Sequence, residues 1–579
     1  MFKNQPTGLY FLGLSNMGER FGYYTMLSIL LLFLQTKFGF STAVSGQIYA
    51  SFMAVVYFLP IVGGWVADRW NFSKCVISGI MVMFVGYLVM AIPTDIRSTS
   101  SLWILFGALF LIAAGTGLFK GNLQVIVGDL YNDARYSSQR DAGFSIFYMA
   151  INIGSMFAPG TATAMCNYVF SRSSLTYVSD LPAACNAYLD AAEAGSPTLA
   201  EKASAVADLA SANGMDINMA DLSGFCTDYL TTLSTGYSYG FGIACISLVV
   251  SYFIYMAGKK YFSSSIPSKK KDGAKTNVAV PELTPEQTRN RLVALLLVFA
   301  VVIFFWMVFN QSGAALTEFA KSCLSPECGG FMRIFFNVWA LVAFCVAIYA
   351  IFGIFQSKTT SGKTTAGIVL VCMASFIIYF YVTTPNPLTS IQPQDYQQFN
   401  PFFVVALTPV SLAIFSMLNS KGKEPSAPRK IGYGMILAAL AYGVMALASA
   451  GIQGTSGDIN PNWLIFTYLL LTFAELLLSP MGISFVSKVA PPKYKGAMMG
   501  AWFGATAIGN YLVMVPMLLW GKIPLVAIWG ILVGLCLISA LFIFSIMKKL
   551  ETVTAEADAA ADALEEEAEA QRLASEVEA

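Results

Sequence analysis

The sequence predicts an all-α, polytopic membrane protein with about fourteen transmembrane helices. Three observations carry this. The 579 residues are 56% hydrophobic and only 12% charged, whereas soluble domains carry about 25% charged residues. Apolar runs long enough to span recur along the chain, since about 20 residues at 1.5 Å rise cross a ~30 Å hydrocarbon core. Lys and Arg gather in alternate short loops, as the positive-inside rule requires.

Taken in order, the first six spans are 8–35, 43–67, 73–93, 102–126, 142–165 and 236–258. A polar, basic linker follows over 259–291, with eight basic residues. Eight further spans are 292–320, 331–355, 364–383, 399–418, 431–451, 463–486, 497–520 and 524–547. Reading 331–355 and 364–383 as one buried, non-spanning hairpin preserves the same parity. The linker falls on one side with Arg69, Lys74, Arg135, Arg140, Lys358, Lys363, Lys421, Lys430, Lys488 and Lys495. Loops 384–398 and 452–462 on the other side hold no Lys or Arg. Both termini are therefore expected in the cytoplasm of a cell-membrane protein, with a bacterial inner membrane as the setting. The start, MFKNQPTG, has a single Lys and runs straight into the first span, so no cleavable signal peptide is expected.

The expected organisation is helices 1–5 over 1–165, an outside insertion over 166–235, helix 6 over 236–258 and the linker 259–291. Helix 7 occupies 292–330, an extra hairpin 331–383, helices 8–12 384–550 and an acidic tail 551–579. The insertion is rich in Ala, Ser and Asp; its run AEKASAVADLASANG reads as a helix ended by Gly. It carries Cys166, Cys185 and Cys226, and Cys323 and Cys328 share its side. An oxidising compartment permits a Cys323–Cys328 bridge and one bridge within the insertion. The tail, with ten acids and one Arg, reads as a solvated helix or a disordered charge run.

Few ionisable residues fall inside the spans. Glu19 and Arg20 lie in the first, Lys120 in the fourth, Glu475 in the twelfth and Glu318 near the end of the seventh. A charge at the bilayer centre costs roughly 2.5–3.5 kcal/mol on insertion scales, so such residues face a cavity, find partners and mark function. The separation of Arg20 and Lys120 from Glu475 suits a zwitterion, its carboxylate toward the cations and its ammonium toward Glu475. The plainer reading is a structural tie between Glu475 and Lys120 or Arg20. Tyr23 and Tyr24, three and four residues after Arg20, share its helix face. Asn152, Trp306, Asn310, Gln311, Asn400 and Ser479 are further polar or aromatic residues within spans. Intramembrane amides more often join helices, and intramembrane aromatics more often pack, than touch a ligand.

These segments together resemble the proton-dependent oligopeptide transporter (POT/PTR) family, a branch of the major facilitator superfamily. The resemblance runs through GERFGYY (18–24), GGWVADR (63–69), GTGLFKGNLQVIVGDLY (115–131), DAGFSIFYMAINIGS (141–155), FWMVFNQSG (305–313), FNPFFVVALTP (399–409) and ELLLSPMGISFVSKVAP (475–491). It implies a major facilitator fold, two six-helix bundles plus an extra two-helix hairpin, with the site near the midplane between bundles. By position, Arg20, Lys120 and Asn152 would hold the carboxylate end and backbone of a peptide and Glu475 its amino end. Tyr23, Tyr24 and Trp306 would line side-chain pockets, with Asn310, Gln311, Asn400 and Ser479 completing the site. Glu19 and Glu475 are the proton-coupling candidates. Asp68 and Arg69 fall in a loop motif that latches helices and are conformational. The chain departs from the family at Asn16, where Glu is usual, at Leu27, where Arg is common, at Asn310, where Glu is usual, and at Gly121, where Pro is usual. The Arg and Glu of an outer-gate ion pair are thus both missing, which leaves no lone buried charge.

The expected function is a proton-coupled symporter that imports di- and tripeptides by alternating access through a lipid bilayer. Alternatives are the same fold carrying an amino acid, nitrate or a peptide-like drug, or coupled to another ion, and a non-transporting membrane sensor. No cofactor, metal or enzymatic role is expected. Histidine is absent, which excludes a His relay, a Ser-His-Asp triad or a His-ligated metal; the ten cysteines contain no CxxC pair. A net charge of +1 gives no basis for a nucleic-acid partner.

Overall fold

A computed structural model describes residues 5–132, 135–136, 139–262, 283–389, 391–557 and 559. The middle of the linker and most of the acidic tail lie outside the described residues. Among the described residues thirteen helical stretches are long and apolar enough to cross a membrane; the first helix, Thr7–Phe38, which carries Glu19 and Arg20, is not one of them, and with it the expected count of about fourteen helices is reached.

The first half comprises α1 (Thr7–Phe38), α2 (Thr42–Trp70), α3 (Phe72–Ala91), α4 (Thr99–Asp129) and α5 (Arg140–Phe170). The short helices α6 (Leu181–Glu193) and α7 (Leu199–Ala212) follow, then the long α8 (Leu222–Gly258). The second half begins with α9 (Pro285–Phe309), broken by a 3-10 segment Asn310–Gly313 before α10 (Ala315–Cys323). It continues with α11 (Val338–Gln356), α12 (Thr360–Thr383), α13 (Phe399–Ser420), α14 (Ala427–Ala448) and α15 (Asn462–Val489). The last helices are α16 (Lys495–Leu512), α17 (Met514–Leu519) and α18 (Leu525–Ser545).

α1 packs on α5 and α8, while α4 packs on α2 and α3. In the second half α14 packs on α15 and α18, and α9 on α16. These are two six-helix bundles. They meet where α2 lies against α16 and α17, and where α5 lies against α13 and the 3-10 segment Pro393–Gln398. Gly63 shows how closely α2 and α4 approach: a Cβ there would fall 2.1 Å from the Gly117 carbonyl oxygen. The extra hairpin α11–α12 stands beside α13, and α12 has no buried residue. A helix apolar all round and unburied fits a lipid-facing position. Arg333 anchors its end, donating to the carbonyls of Tyr381 (2.6 Å) and Thr384 (3.2 Å).

Helix ends follow local chemistry. Ser41 caps α2 by accepting from the Val44 amide, and Thr284 and Gln287 form a capping box on α9. Gly39, with φ 66°, ends α1 in the left-handed region and donates its N–H to the Gln35 carbonyl. α8 starts inside the insertion, well before the continuous apolar run begins, because Leu222, Cys226, Tyr229, Leu230 and Leu233 form a buried stripe at helical spacing. α9 breaks at Asn310, and a Cβ on Gly313 in the break would fall 2.0 Å from the Tyr49 hydroxyl of α2.

The expected cysteine bridges are not formed; all ten cysteines are free. The Cys323 thiol donates to the Thr455 carbonyl (3.3 Å), and that of Cys328 turns toward its neighbour Gly329. Cys328 is held in an antiparallel backbone bridge with Leu388.

Candidate functional site

α1 brings Glu19 and Arg20 into the bundle interior, 0% and 4% exposed. Adjacent residues on a helix do not share a face, yet these side chains fold onto each other. Arg20 Nε lies 2.5 Å and Nη2 2.6 Å from the two Glu19 oxygens, a bidentate fork. The guanidinium also sits over the Tyr23 ring at 4.6 Å. One turn earlier, the buried Asn16 amide nitrogen has no partner among the described residues.

Lys120 on α4 points across to α2, its ammonium 4.0 Å from the centre of the Tyr57 ring. It is half-buried, with no carboxylate within ion-pair distance among the described residues. A side chain at Gly121 would meet nothing within 4 Å.

Glu475 on α15 is 8% exposed and also has no cation partner among the described residues. Its oxygens accept from neutral donors, the Tyr148 hydroxyl at 3.2 Å and the Asn400 amide at 3.0 Å. Asn400 also donates to Thr472 (3.1 Å). Tyr148 lies on α5 and Glu475 on α15, so this bond crosses between the bundles. Tyr24 and Tyr57 lie within electrostatic reach of both Arg20 and Glu475. One neighbourhood therefore holds a neutralised ion pair, a lone ammonium and a lone carboxylate, joined by tyrosines.

Other sequence candidates lie around it differently. Asn152 donates to the Tyr148 carbonyl (3.1 Å), one turn back on α5. Ser479 lies one turn beyond Glu475, its hydroxyl buried without a partner among the described residues. Trp306 packs edge-on against Phe305 and Phe309, its buried indole N–H likewise without a partner among the described residues. Asn310 donates to Asn510, and Gln311 donates to the Met307 (2.9 Å) and Val513 (3.2 Å) carbonyls. Those two amides tie the α9 break to α16. Asp68 and Arg69 are exposed at the far end of α2, where Arg69 stacks on Trp65 at 3.7 Å. Tyr57, Tyr148 and Thr472 were not singled out by sequence reasoning. Tyr148 sits inside the quoted stretch DAGFSIFYMAINIGS; nothing in the sequence marks Tyr57.

The family description PTR2, the POT family, matches residues 73–175 and 382–527. A di-/tripeptide transporter of Lactococcus lactis subsp. cremoris is 27% identical over 87% of each chain. Dipeptide and tripeptide permease A of Escherichia coli (strain K12) is 25% identical over 88% of this chain and 84% of its own. Among solved structures, a peptide transporter POT in complex with sulfate matches with a TM-score of 0.64 at 20% identity, over 96% of each chain. A POT family transporter in complex with 5-aminolevulinic acid matches with a TM-score of 0.66 at 19% identity, over 95% of this chain and 98% of its own. The architecture is thus of the major facilitator type, and the chain is a transporter and not an enzyme. With the family match on both bundles and these relatives along nearly its whole length, the chain is similar to the transporters of the POT family.

Proposed function

We propose that this chain is a proton-coupled symporter that imports di- and tripeptides by alternating access. It works in a bacterial inner membrane, with both termini and the linker in the cytoplasm and the insertion outside. The relatives named for di- and tripeptides, and the basic residues gathered on the linker side, support this reading.

The observation that carries the mechanism is a mismatch of charge. Arg20 is neutralised by its own neighbour, while Glu475 is buried with only neutral donors. A lone buried carboxylate is a costly arrangement that an incoming ammonium relieves. The peptide's ammonium takes the place of Tyr148 or Asn400 at Glu475. Its carboxylate goes to Lys120 and to Arg20, which must first leave Glu19. A proton on Glu19 turns the carboxylate into a neutral carboxyl and releases the fork, which then grips the peptide carboxylate bidentately. Proton and peptide binding are thereby linked through one guanidinium. Because the Tyr148–Glu475 bond joins α5 to α15, the same event alters a tie between the bundles. Asp68 and Arg69 take the conformational role at the cytoplasmic end of α2. A membrane potential supplies ~2.3 kcal/mol per charge per 100 mV, enough for about fifty-fold accumulation.

The test is uptake of radiolabelled dipeptides into proteoliposomes with an acid exterior. Accumulation that collapses with a protonophore is expected. Absence of uptake across a range of di- and tripeptides, at verified orientation and folding, overturns the proposal.

A further inference from the structure

The bundle face that carries the insertion holds a polar network apart from the site described above. Gln35 is in the last turn of α1, and Thr42 begins α2. Facing them on α10 are Glu318, 3% exposed, and Lys321, paired at 2.8 Å. Gln35 engages both ions at once: its amide nitrogen donates to Glu318 Oε2 (2.7 Å) and its amide oxygen accepts from Lys321 (2.7 Å). Thr42 donates to Glu318 Oε1 (3.0 Å). A buried ion pair of the second half is therefore completed by two side chains of the first.

The insertion joins the same network from above. Ser179, just before α6, donates to the Lys321 carbonyl (2.9 Å). Asn186 on α6 donates to the carbonyls of Gln35 (3.2 Å) and Thr36 (3.1 Å), satisfying the end of α1. Arg97, in the connection between α3 and α4, pairs with Asp190 and Glu193 of α6. Burial raises the Asp180 carboxyl above its ordinary range, opposed by Lys321. α6 thus grips the first half through Asn186 and Arg97, and the second half through Ser179.

We propose that the insertion is a gate element: with Gln35, Thr42, Glu318 and Lys321 it clamps the two bundles together on its own face, and the site is exposed to that side only when this clamp breaks. The inference rests on the transport reading, because a gate presupposes alternating exposure. The energetics favour a switch with two positions. Glu318 and Lys321 keep each other when the bundles part, so no bare charge is left buried, while the neutral Gln35 and Thr42 are free to pair with water. Separation therefore costs hydrogen bonds to charged groups and does not strand an ion.

The experiment reads exposure directly. Ser28 on α1 is 2% exposed beneath the clamp, and of the native cysteines only Cys372 is exposed. A Ser28→Cys thiol in a Cys372→Ser background is reacted with a membrane-impermeant maleimide added from the insertion side. Slow labelling is expected in the parent protein. Gln35→Leu is expected to speed it about tenfold or more, as loss of hydrogen bonds to charged groups implies. Ser179→Ala and Arg97→Ala, which loosen only the insertion, are expected to shift it in the same direction. Labelling within about twofold of the parent in both insertion variants overturns the role given to the insertion, even if Gln35→Leu alone responds. If Gln35→Leu fails to fold, the two surface variants decide the matter. Dipeptide uptake by the parent is measured alongside. Its absence rejects the transport reading, while the labelling result still reports whether the clamp governs exposure.

Discussion

Glu475→Gln is the sharpest perturbation of the site. The substitution keeps the side-chain volume and an oxygen that can still accept from Asn400, now 3.0 Å away. Tyr148, now 3.2 Å from Glu475, can rotate its hydroxyl to accept from the new amide. Removing a charge that has no cation partner leaves none unpaired, so folding stability changes by less than about 1 kcal/mol. Peptide binding changes far more. The bond between the peptide ammonium and Glu475 joins two full charges, and hydrogen bonds to charged groups contribute ~1.5–3 kcal/mol. That corresponds to a rise of about ten- to 150-fold in KM for a free dipeptide. The assay is initial-rate uptake in proteoliposomes, parent beside variant, with an N-acetylated dipeptide as control. The acetylated peptide has no ammonium, so its weak transport is expected to be indifferent to the substitution. A KM for the free dipeptide within about twofold of the parent's would refute the placement of the peptide's amino end at Glu475.

Three further outcomes follow from the geometry. Glu19→Gln removes the anion that holds Arg20 at 2.5 Å; exchange of labelled for unlabelled peptide is expected to persist while uptake driven by an acid exterior is lost, and retention of proton-driven accumulation would contradict this. Arg20→Lys replaces a planar fork with a point charge, and is expected to lower peptide uptake about tenfold or more with expression unchanged; uptake equal to the parent's would contradict the bidentate grip. At the second half's far end, bonds from Arg429 (2.6 Å) and Ser426 (2.6 Å) hold the Glu551 carboxyl below its usual range. A lowered folded value means that this tie contributes above the ordinary Glu value near ~4.3 and is lost as the pH falls through the folded one. Hydrogen exchange over 547–557 is expected to quicken below that value in the parent and to be less pH-sensitive in Arg429→Gln. Equal pH dependence in both would count against it.

Hydropathy alone made the architecture legible, because a helix with no water to satisfy its backbone must be long and apolar. It misplaced ends where helices leave the membrane. α8 begins at Leu222, in a stretch whose apolar residues recur at helical spacing among Ser, Thr and Asp and so make no continuous apolar run, and α9 breaks at Asn310 inside an apolar run. The buried charges were legible for the same energetic reason: Glu19, Arg20, Lys120 and Glu475 stand out against apolar neighbours. Their pairing was not. Helical spacing gives no warning that Glu19 and Arg20, on diverging faces, close on each other. Tyr57 and Tyr148 escaped notice because a tyrosine in a span is ordinary until the fold sets it beside a charge. The cap-side clamp was illegible for a different reason: Gln35 and Glu318 are 283 residues apart, and only the meeting of the two bundles unites them.

The central claim is that proton and peptide together replace the Glu19–Arg20 pair, the proton on Glu19 and the peptide carboxylate on Arg20, so binding a peptide must change the protonation of the protein. Calorimetric titration of a dipeptide into the purified transporter near neutral pH, repeated in buffers of different ionisation enthalpy, measures this directly. The account predicts uptake of about one proton per peptide bound, as Glu19 gives up Arg20, and loss of that uptake in Glu19→Gln. Tight dipeptide binding with no proton exchanged would contradict it.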